Sequence, residues 1–294
     1  MLKISSCVVV VKQTALAQGG RAAQFAGQGD ATAHRLIHAD KEHHHTLTVV
    51  QSVLAKRQIG FEAFPIHRLT ARAKRKLTTA DLVITVGGDG TALTASHYIR
   101  HGVMLGVNSA PGDSIGHFCH STRDNFAHKL DDILNARWQA SKLTRLQVTL
   151  DDQLLPELAL NDVLITHECP AATTRYIMTV DGYEEEQRSS GVWISTAAGS
   201  TAGICSAGGR VMPLLSRRIQ YLVREPYREH GRDYQVRRGF VDPGESILIA
   251  SKMQQGWLYI DGARTAYRFP FGARALLSAA PFDLKIFLSR AAQT

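Results

Sequence analysis

A single aspartate set among glycines is the residue best placed to do chemistry in this chain. In GGDGT, residues 87–91, Gly87, Gly88 and Gly90 permit positive φ and let backbone approach a ligand closely, and the free amides of such a turn suit phosphate oxygens. Asp89 repels phosphate, so it belongs there if it accepts a proton or orients a hydroxyl, as the active-site turn of a kinase requires. The plainer alternative is a strand-to-helix turn with Asp89 as a local cap. Two further groups of residues can hold a ligand. Asn161-Asp162 interrupts the apolar run LALNDVLIT, where an amide and a carboxylate must find partners and can offer them to a ribose or an adenine edge; the alternative is a structural turn or a sheet-edge cap. Ser190 to Gly209, SGVWISTAAGSTAGICSAGG, is dense in small and hydroxyl residues that pack against a flat ring. It is not a serine-hydrolase elbow, because Ile204 stands where GxSxG around Ser206 needs glycine. The chain contains no GxxxxGK[ST], and no GxGxxG follows a strand.

The elements around the turn read as alternating strands and helices. Leu82 to Val86 has the pattern of a parallel strand buried on both faces, with Thr91 able to cap a helix over Ala92 to Arg100. Ile4 to Val11, Phe61 to Ile66 and Val103 to Val107 are further strands, and Gln18 to Asp30 reads as a loop. Between His34 and Gln58 the spacing of Leu47, Val50, Val53 and Leu54 predicts a helix; His43, His44 and His45 point in three directions on it and are expected on a solvated face. Arg72, Lys74, Arg75 and Lys76 read as another wet helix face. This order predicts a doubly wound, Rossmann-like parallel sheet whose ligand lies at the carboxyl ends of the strands, with Asn108 and the loop Ser109 to Gly116 beside Asp89.

After a helix over Asn125 to Arg137, short strands separated by turn pairs take over. They are Arg145 to Leu150, Leu158 to Thr166, Tyr176 to Val180, Val192 to Ser195, Ser246 to Ala250, Trp257 to Ile260 and Ala275 to Leu288. The turn pairs are Asp151-Asp152, Asp181-Gly182, Pro243-Gly244 and Asp261-Gly262. The fold class is therefore α/β plus β: an α/β domain over residues 1–142, then an antiparallel, sandwich-like β domain over 143–294.

Composition narrows the setting. The 294 residues, 44% of them hydrophobic, suffice for one large or two medium domains. No run of about 18 apolar residues occurs and Lys3 leads straight into a strand without signal-peptide regions, so a cytoplasmic protein is expected. Cys7, Cys119, Cys169 and Cys205 form no CxxC pair and read as reduced thiols. A net charge of +8 and a pI of about 9.5 attract polyanions, nucleotide or polyphosphate as readily as nucleic acid. The cations are spread without aromatic interleaving, which argues against a nucleic-acid partner.

Taken together, GGDGT at 87–91, Asn108 with a downstream Gly116, LND at 160–162, and SGVWISTAAGSTAG with SAGG at 206–209 resemble the NAD kinases in order and spacing. The turn Tyr259-Ile260-Asp261-Gly262 looks like another family landmark, and the resemblance runs from about residue 80 to 265. It implies phosphoryl transfer from ATP, or from polyphosphate in some bacterial members, to the 2′-hydroxyl of the adenosine ribose of NAD(H), with a divalent metal, Mg2+ with ATP. No metal-ligating residue is assigned. By position Asp89 is then the general base, Gly88, Gly90, Thr91 and Asn108 stand beside it, Asn161 and Asp162 hold the dinucleotide, and Ser195, Thr196, Thr201, Ala202 and Ser206 line its groove. The resemblance further implies an active site between the two domains and a homodimer or homotetramer.

This chain departs from the family at several positions. Ser190 stands where the family writes aspartate, a position the resemblance places towards the nicotinamide end, and Ala197, Ala198 and Gly203 replace its Pro, Thr and Tyr. IQYLVREPY takes the place of the stretch after SAGG that carries proline and histidine, and the chain closes at Thr294 without the expected segment that packs back on the first domain. The pattern is nearer to the divergent, mitochondrial-like branch. Two alternatives carry part of the pattern: a lipid or sphingoid-base kinase of the same superfamily shares GGDGT but has no reason to carry LND and ISTAAGSTA, and a non-catalytic dinucleotide-binding regulator has no reason to keep Asp89.

Overall fold

A computed structural model describes residues 4–26, 31–112, 116–227 and 234–289. The chain divides into two compact units after Ser141, and at Leu284 it returns to the first.

The first unit runs β1 (Cys7–Val11), α1 (Ala15–Gln18), α2 (Arg21–Ala26), α3 (Ala31–Lys56), β2 (Phe61–Pro65), α4 (Ala71–Thr79), β3 (Leu82–Gly87), α5 (Asp89–Ser96), β4 (Val103–Asn108), β5 (Ser121–Thr122), α6 (Phe126–Leu134) and β6 (Ser141–Leu143). β1 lies between β2 and β3, β4 lies beyond β3, and all these pairings are parallel. Every residue of β3 is buried, as expected for a central strand covered on both faces. Leu82, Ile84 and Val86 share a core with Val50 and Leu54 of α3 and with Phe126, Leu130 and Ile133 of α6. Alternation sends Val83 and Thr85 to the opposite face, where they are equally buried.

The second unit runs β7 (Leu146–Leu150), β8 (Gln153–Leu154), β9 (Asp162–His167), β10 (Thr174–Val180), β11 (Tyr183–Ser189), β12 (Gly191–Ser195), α7 (Gly203–Ser206), β13 (Ile219–Arg224), β14 (Arg238–Val241), β15 (Ser246–Ser251), β16 (Gly256–Ile260), β17 (Thr265–Arg268) and β18 (Arg274–Ala279). They form two six-stranded sheets, β11-β10-β15-β18-β7-β8 and β14-β13-β12-β9-β16-β17. One core draws Val148, Tyr176, Met178, Ile249 and Leu277 from the first and Val163, Ile165, Ile194, Tyr221 and Leu258 from the second, which makes the unit a sandwich. Asp151, Asp152, Asp181, Gly182, Gly244, Asp261 and Gly262 all take positive φ, so the four turn pairs sit where the sequence places them.

Five expectations need correction. Ala275 to Leu288 is not one strand: it breaks into β18 of the sandwich and β19 (Leu284–Ile286), which pairs parallel with β4 in the first unit. That return is a closing segment, contrary to expectation. Phe287 joins the first unit's core, and Trp138 donates to the Leu288 carbonyl at 3.0 Å. Within the expected loop Gln18 to Asp30, α2 forms instead, following α1, which is capped by Thr14 and ends at Gln18; residues 27–30 lie outside the described residues. His43 is buried and not solvated, because its ring meets the Ser109 hydroxyl at 3.0 Å. Finally, β9 begins only at Asp162, since Leu158 to Asn161 bend into a turn with its own partners.

Among the described residues no helix is long and apolar enough to cross a membrane, and all four cysteines are unpaired.

Candidate active site

The apolar run of β3 ends at Gly87, and α5 starts two residues later at Asp89. The helix therefore begins earlier than Thr91 capping would allow: Gly88 is its N-cap, without a side-chain bond, and Thr91 lies buried in the first turn. A Cβ on Gly87 would stand 2.4 Å from Thr91 Oγ1 and 2.9 Å from Lys12 Cβ, so only glycine lets β3 pass this point. Gly90 faces open, exposed space.

Asp89 is fixed from the opposite side of the turn. Its two carboxylate oxygens accept from the backbone amides of His117 at 2.9 Å and Phe118 at 2.8 Å. Each oxygen keeps a lone pair for a further donor. Asn108, at the end of the neighbouring β4, is buried and accepts from the Ala110 amide at 3.1 Å. Gly116 closes the loop at φ +73°, and a Cβ on it would come within 2.8 Å of Asn108 Nδ2. The expected grouping of Asp89, Asn108 and Gly116 is thus present, while residues 113–115 of the intervening loop lie outside the described residues. His43 supports this wall from below; burial above all, then His44 and Lys12, lowers its pKa to about 4, so it stands there as a neutral imidazole.

In the second unit the two hydroxyl- and amide-rich segments lock into each other. Asn161 O accepts from the Thr196 amide at 2.9 Å and from Ser195 Oγ at 3.1 Å, and Leu160 O accepts from Thr196 Oγ1 at 2.5 Å. A Cβ on Gly199 would lie 2.1 Å from Asn161 O. Ser195 and Thr196 are fully buried, and their hydroxyls bond the backbone of the LND turn. Thr201 and Ser206 are exposed and Ala202 is half-buried. Asn161 Oδ1 is buried without a hydrogen-bond partner among the described residues, an acceptor left for a ligand.

Sequence reasoning missed what holds this turn. Asp261 accepts from the amides of Leu160 at 2.8 Å, Asn161 at 2.8 Å and Asp162 at 3.0 Å. The Asp-Gly pair at 261–262 was legible as a turn; its carboxylate's use as a backbone clamp was not. Asp162 itself is buried, and burial first, then the charge of Asp261, raises its pKa to about 7.

That shift predicts a pH dependence. Between about 4 and about 7 the folded chain keeps a proton that the unfolded chain, with Asp162 near its ordinary value of 3.8, has released. This contribution to stability is fully present below about 4 and is lost as pH rises through about 7, on the order of 2–4 kcal/mol. The difference in unfolding free energy between wild type and Asp162→Asn should therefore change across this window. Parallel pH profiles for the two proteins would contradict the assignment.

The family model described as the ATP-NAD kinase N-terminal domain matches residues 25–138. An NADH kinase of Arabidopsis thaliana is 36% identical over 272 residues, covering 85% of this chain and 84% of its own. The chain belongs to the NAD kinase family. It is a phosphotransferase by that membership. A probable NADH kinase of Oryza sativa subsp. japonica is 35% identical, covering 84% of this chain and 81% of its own. An NAD kinase of Cupriavidus pinatubonensis is 33% identical over about half of each chain, 51% and 50%. In fold, this family member is similar to an NAD kinase from Archaeoglobus fulgidus solved with ATP, with a TM-score of 0.69, 19% identity and coverage of 97% and 95%. It is likewise similar to yeast NADH kinase solved with NADH, with a TM-score of 0.68, 16% identity and coverage of 98% and 84%.

Proposed function

We propose that this chain transfers the terminal phosphoryl group of ATP to the 2′-hydroxyl of the adenosine ribose of NAD or NADH, making NADP or NADPH. The observation that carries the reading is Asp89, a carboxylate with free lone pairs held by two amides beside a glycine turn at the carboxyl end of the central strand. In this reading Asp89 is the general base, Gly88, Gly90, Thr91 and Asn108 surround the transferred group, and Asn161, Asp162, Thr201, Ala202 and Ser206 meet the dinucleotide. Ser195 and Thr196 act through the LND turn that they brace. The divalent metal is Mg2+ carried on the ATP phosphates as part of the substrate. Among the described residues no three His, Cys, Asp or Glu side chains are grouped to hold an ion. Polyphosphate is the second donor to try. An assay pairing NAD or NADH with ATP or polyphosphate and reading NADP(H) tests the proposal; no NADP(H) from any pair would refute it.

The setting we assign is cytoplasmic, supported by the unpaired cysteines, and the assembly a homodimer or homotetramer. On the face of its sheet turned away from the sandwich core, Leu222, Trp193, Leu164 and Tyr259 form one cross-strand row, with Trp193, Leu164 and Tyr259 only half-buried. That row is the apolar surface offered to a second copy, and a monomeric mass in solution would contradict it.

Ser190 bears on the choice between NAD and NADH. A carboxylate towards the nicotinamide end favours the oxidised, positively charged ring by at most roughly 3 kcal/mol at about 5 Å and an effective dielectric of about 20, nearer 1 with partial exposure. Serine lacks that charge. Two of the neighbouring acids are committed elsewhere: Glu185 accepts from the amides of Gln235 and Val236, and Glu186 pairs with Lys252 at 2.6 Å. We therefore propose efficient use of NADH. Ser190→Asp should shift the ratio of kcat/KM towards NAD by up to about tenfold; an unchanged ratio would remove the charge argument.

A further inference from the structure

The GGDGT turn offers amides and one carboxylate but no cation, and moving a phosphoryl group off ATP calls for positive charge beside it. We infer that Lys12 supplies that charge by contacting the donor's terminal phosphates, an inference that rests on the kinase reading above.

Lys12 follows the last residue of β1, the strand directly beside β3. Val11 is in register with Val86, and the Lys12 amide extends the pairing by donating to Val86 O at 2.9 Å. Lys12 therefore stands level with Gly87, two residues ahead of Asp89. Its stem lies so close to Gly87 that a Cβ there would approach Lys12 Cβ to 2.9 Å, so the glycine preserves the contact between the lysine stem and the turn. On its other side His43 hydrogen bonds the Lys12 backbone and meets Ser109, whose amide donates to Gly87 O at 3.0 Å. Lys12, Gly87, Ser109 and His43 thus form one fixed wall.

The ammonium is available. Lys12 is exposed, and its side chain makes no ion pair or hydrogen bond among the described residues. The carboxylates at this edge have other partners: Asp40 takes the Thr14 hydroxyl and lies 3.5 Å from His44, and Asp89 takes the His117 and Phe118 amides. The neutral state of His43 leaves Lys12 as the charge in the wall.

In the transfer, the bond from the terminal phosphorus to its bridging oxygen breaks and a bond from the ribose 2′-oxygen forms. The hydroxyl proton passes to Asp89, and ADP leaves. Lys12 keeps its proton throughout and offsets the charge on the phosphate oxygens.

Lys12→Met and Lys12→Arg test this, with kinetics in ATP, binding of AMP and thermal melting measured on each. Lys12→Met should lose about 10²-fold or more in kcat/KM for ATP, and Lys12→Arg should recover to within about tenfold of wild type. AMP, which lacks the terminal phosphates, should bind both variants within about threefold of wild type, with melting midpoints unmoved because Lys12 is exposed. A Lys12→Met enzyme within about threefold of wild type would overturn the inference alone. So would a loss accompanied by equal loss of AMP binding or by a lowered melting midpoint. A wild type that makes no NADP(H) would overturn the kinase reading and this inference with it.

Discussion

Asp89→Asn should lower turnover by about 10²–10⁴-fold while leaving the affinity for NAD(H) within a few fold. Phosphoryl transfer asks little of a protein beyond positioning, charge neutralisation and an acceptor for the hydroxyl proton. Asp89 is the carboxylate in the turn for the last of these. The amides of His117 and Phe118 fix its direction, and asparagine can keep one of those bonds through its carbonyl oxygen without being able to take the proton. The fold around it should survive, since the first turn of α5 is set by Gly87 and Gly88 and not by the Asp89 side chain. Single-turnover kinetics alongside equilibrium binding separates the two effects. A mutant retaining most of its turnover would move the base elsewhere, Asp162 being the next carboxylate to test.

The second large effect belongs to Asp261. Asp261→Ala should cost about 2–4 kcal/mol of stability, because it leaves the amides of Leu160, Asn161 and Asp162 without their charged acceptor at once. It should also weaken dinucleotide binding, since the same three residues set the direction of Asn161 Oδ1 and the Asp162 carboxyl. Removing the nearby negative charge lets Asp162 ionise at lower pH than in wild type. Chemical denaturation and dinucleotide titration of the variant measure these effects. Wild-type stability with wild-type affinity would show that the LND turn holds itself.

The contrast between these residues shows what the sequence could and could not reveal. β3 and its glycine turn were legible because the strand is covered on both faces, so the apolar run is unbroken and the glycines follow it directly. The sandwich turns were legible for a similarly local reason, since Asp-Gly, Asp-Asp and Pro-Gly pairs between short strands favour tight turns with positive φ. β11 was not, because YEEEQRS is a charged edge strand and only Gln187 and Ser189 of it are buried. The three residues of β19 lack the length to show a period, and their partner strand lies far back in the chain. His43 and Asp261 take their roles from contacts 66 and 100 residues away. Composition around His43 predicts a wet helix face, and only the fold shows Ser109 against its ring.

The measurement that bears most directly on the central claim is the identity of the product. Purified protein is incubated with MgATP and NADH, and the phosphorus-containing products are resolved by 31P nuclear magnetic resonance. The account predicts ADP and a dinucleotide phosphorylated on the adenosine 2′-oxygen, formed in equal amounts, and neither from Asp89→Asn on the same timescale. ADP released without a phosphorylated dinucleotide, or phosphate carried on any other hydroxyl, would contradict it.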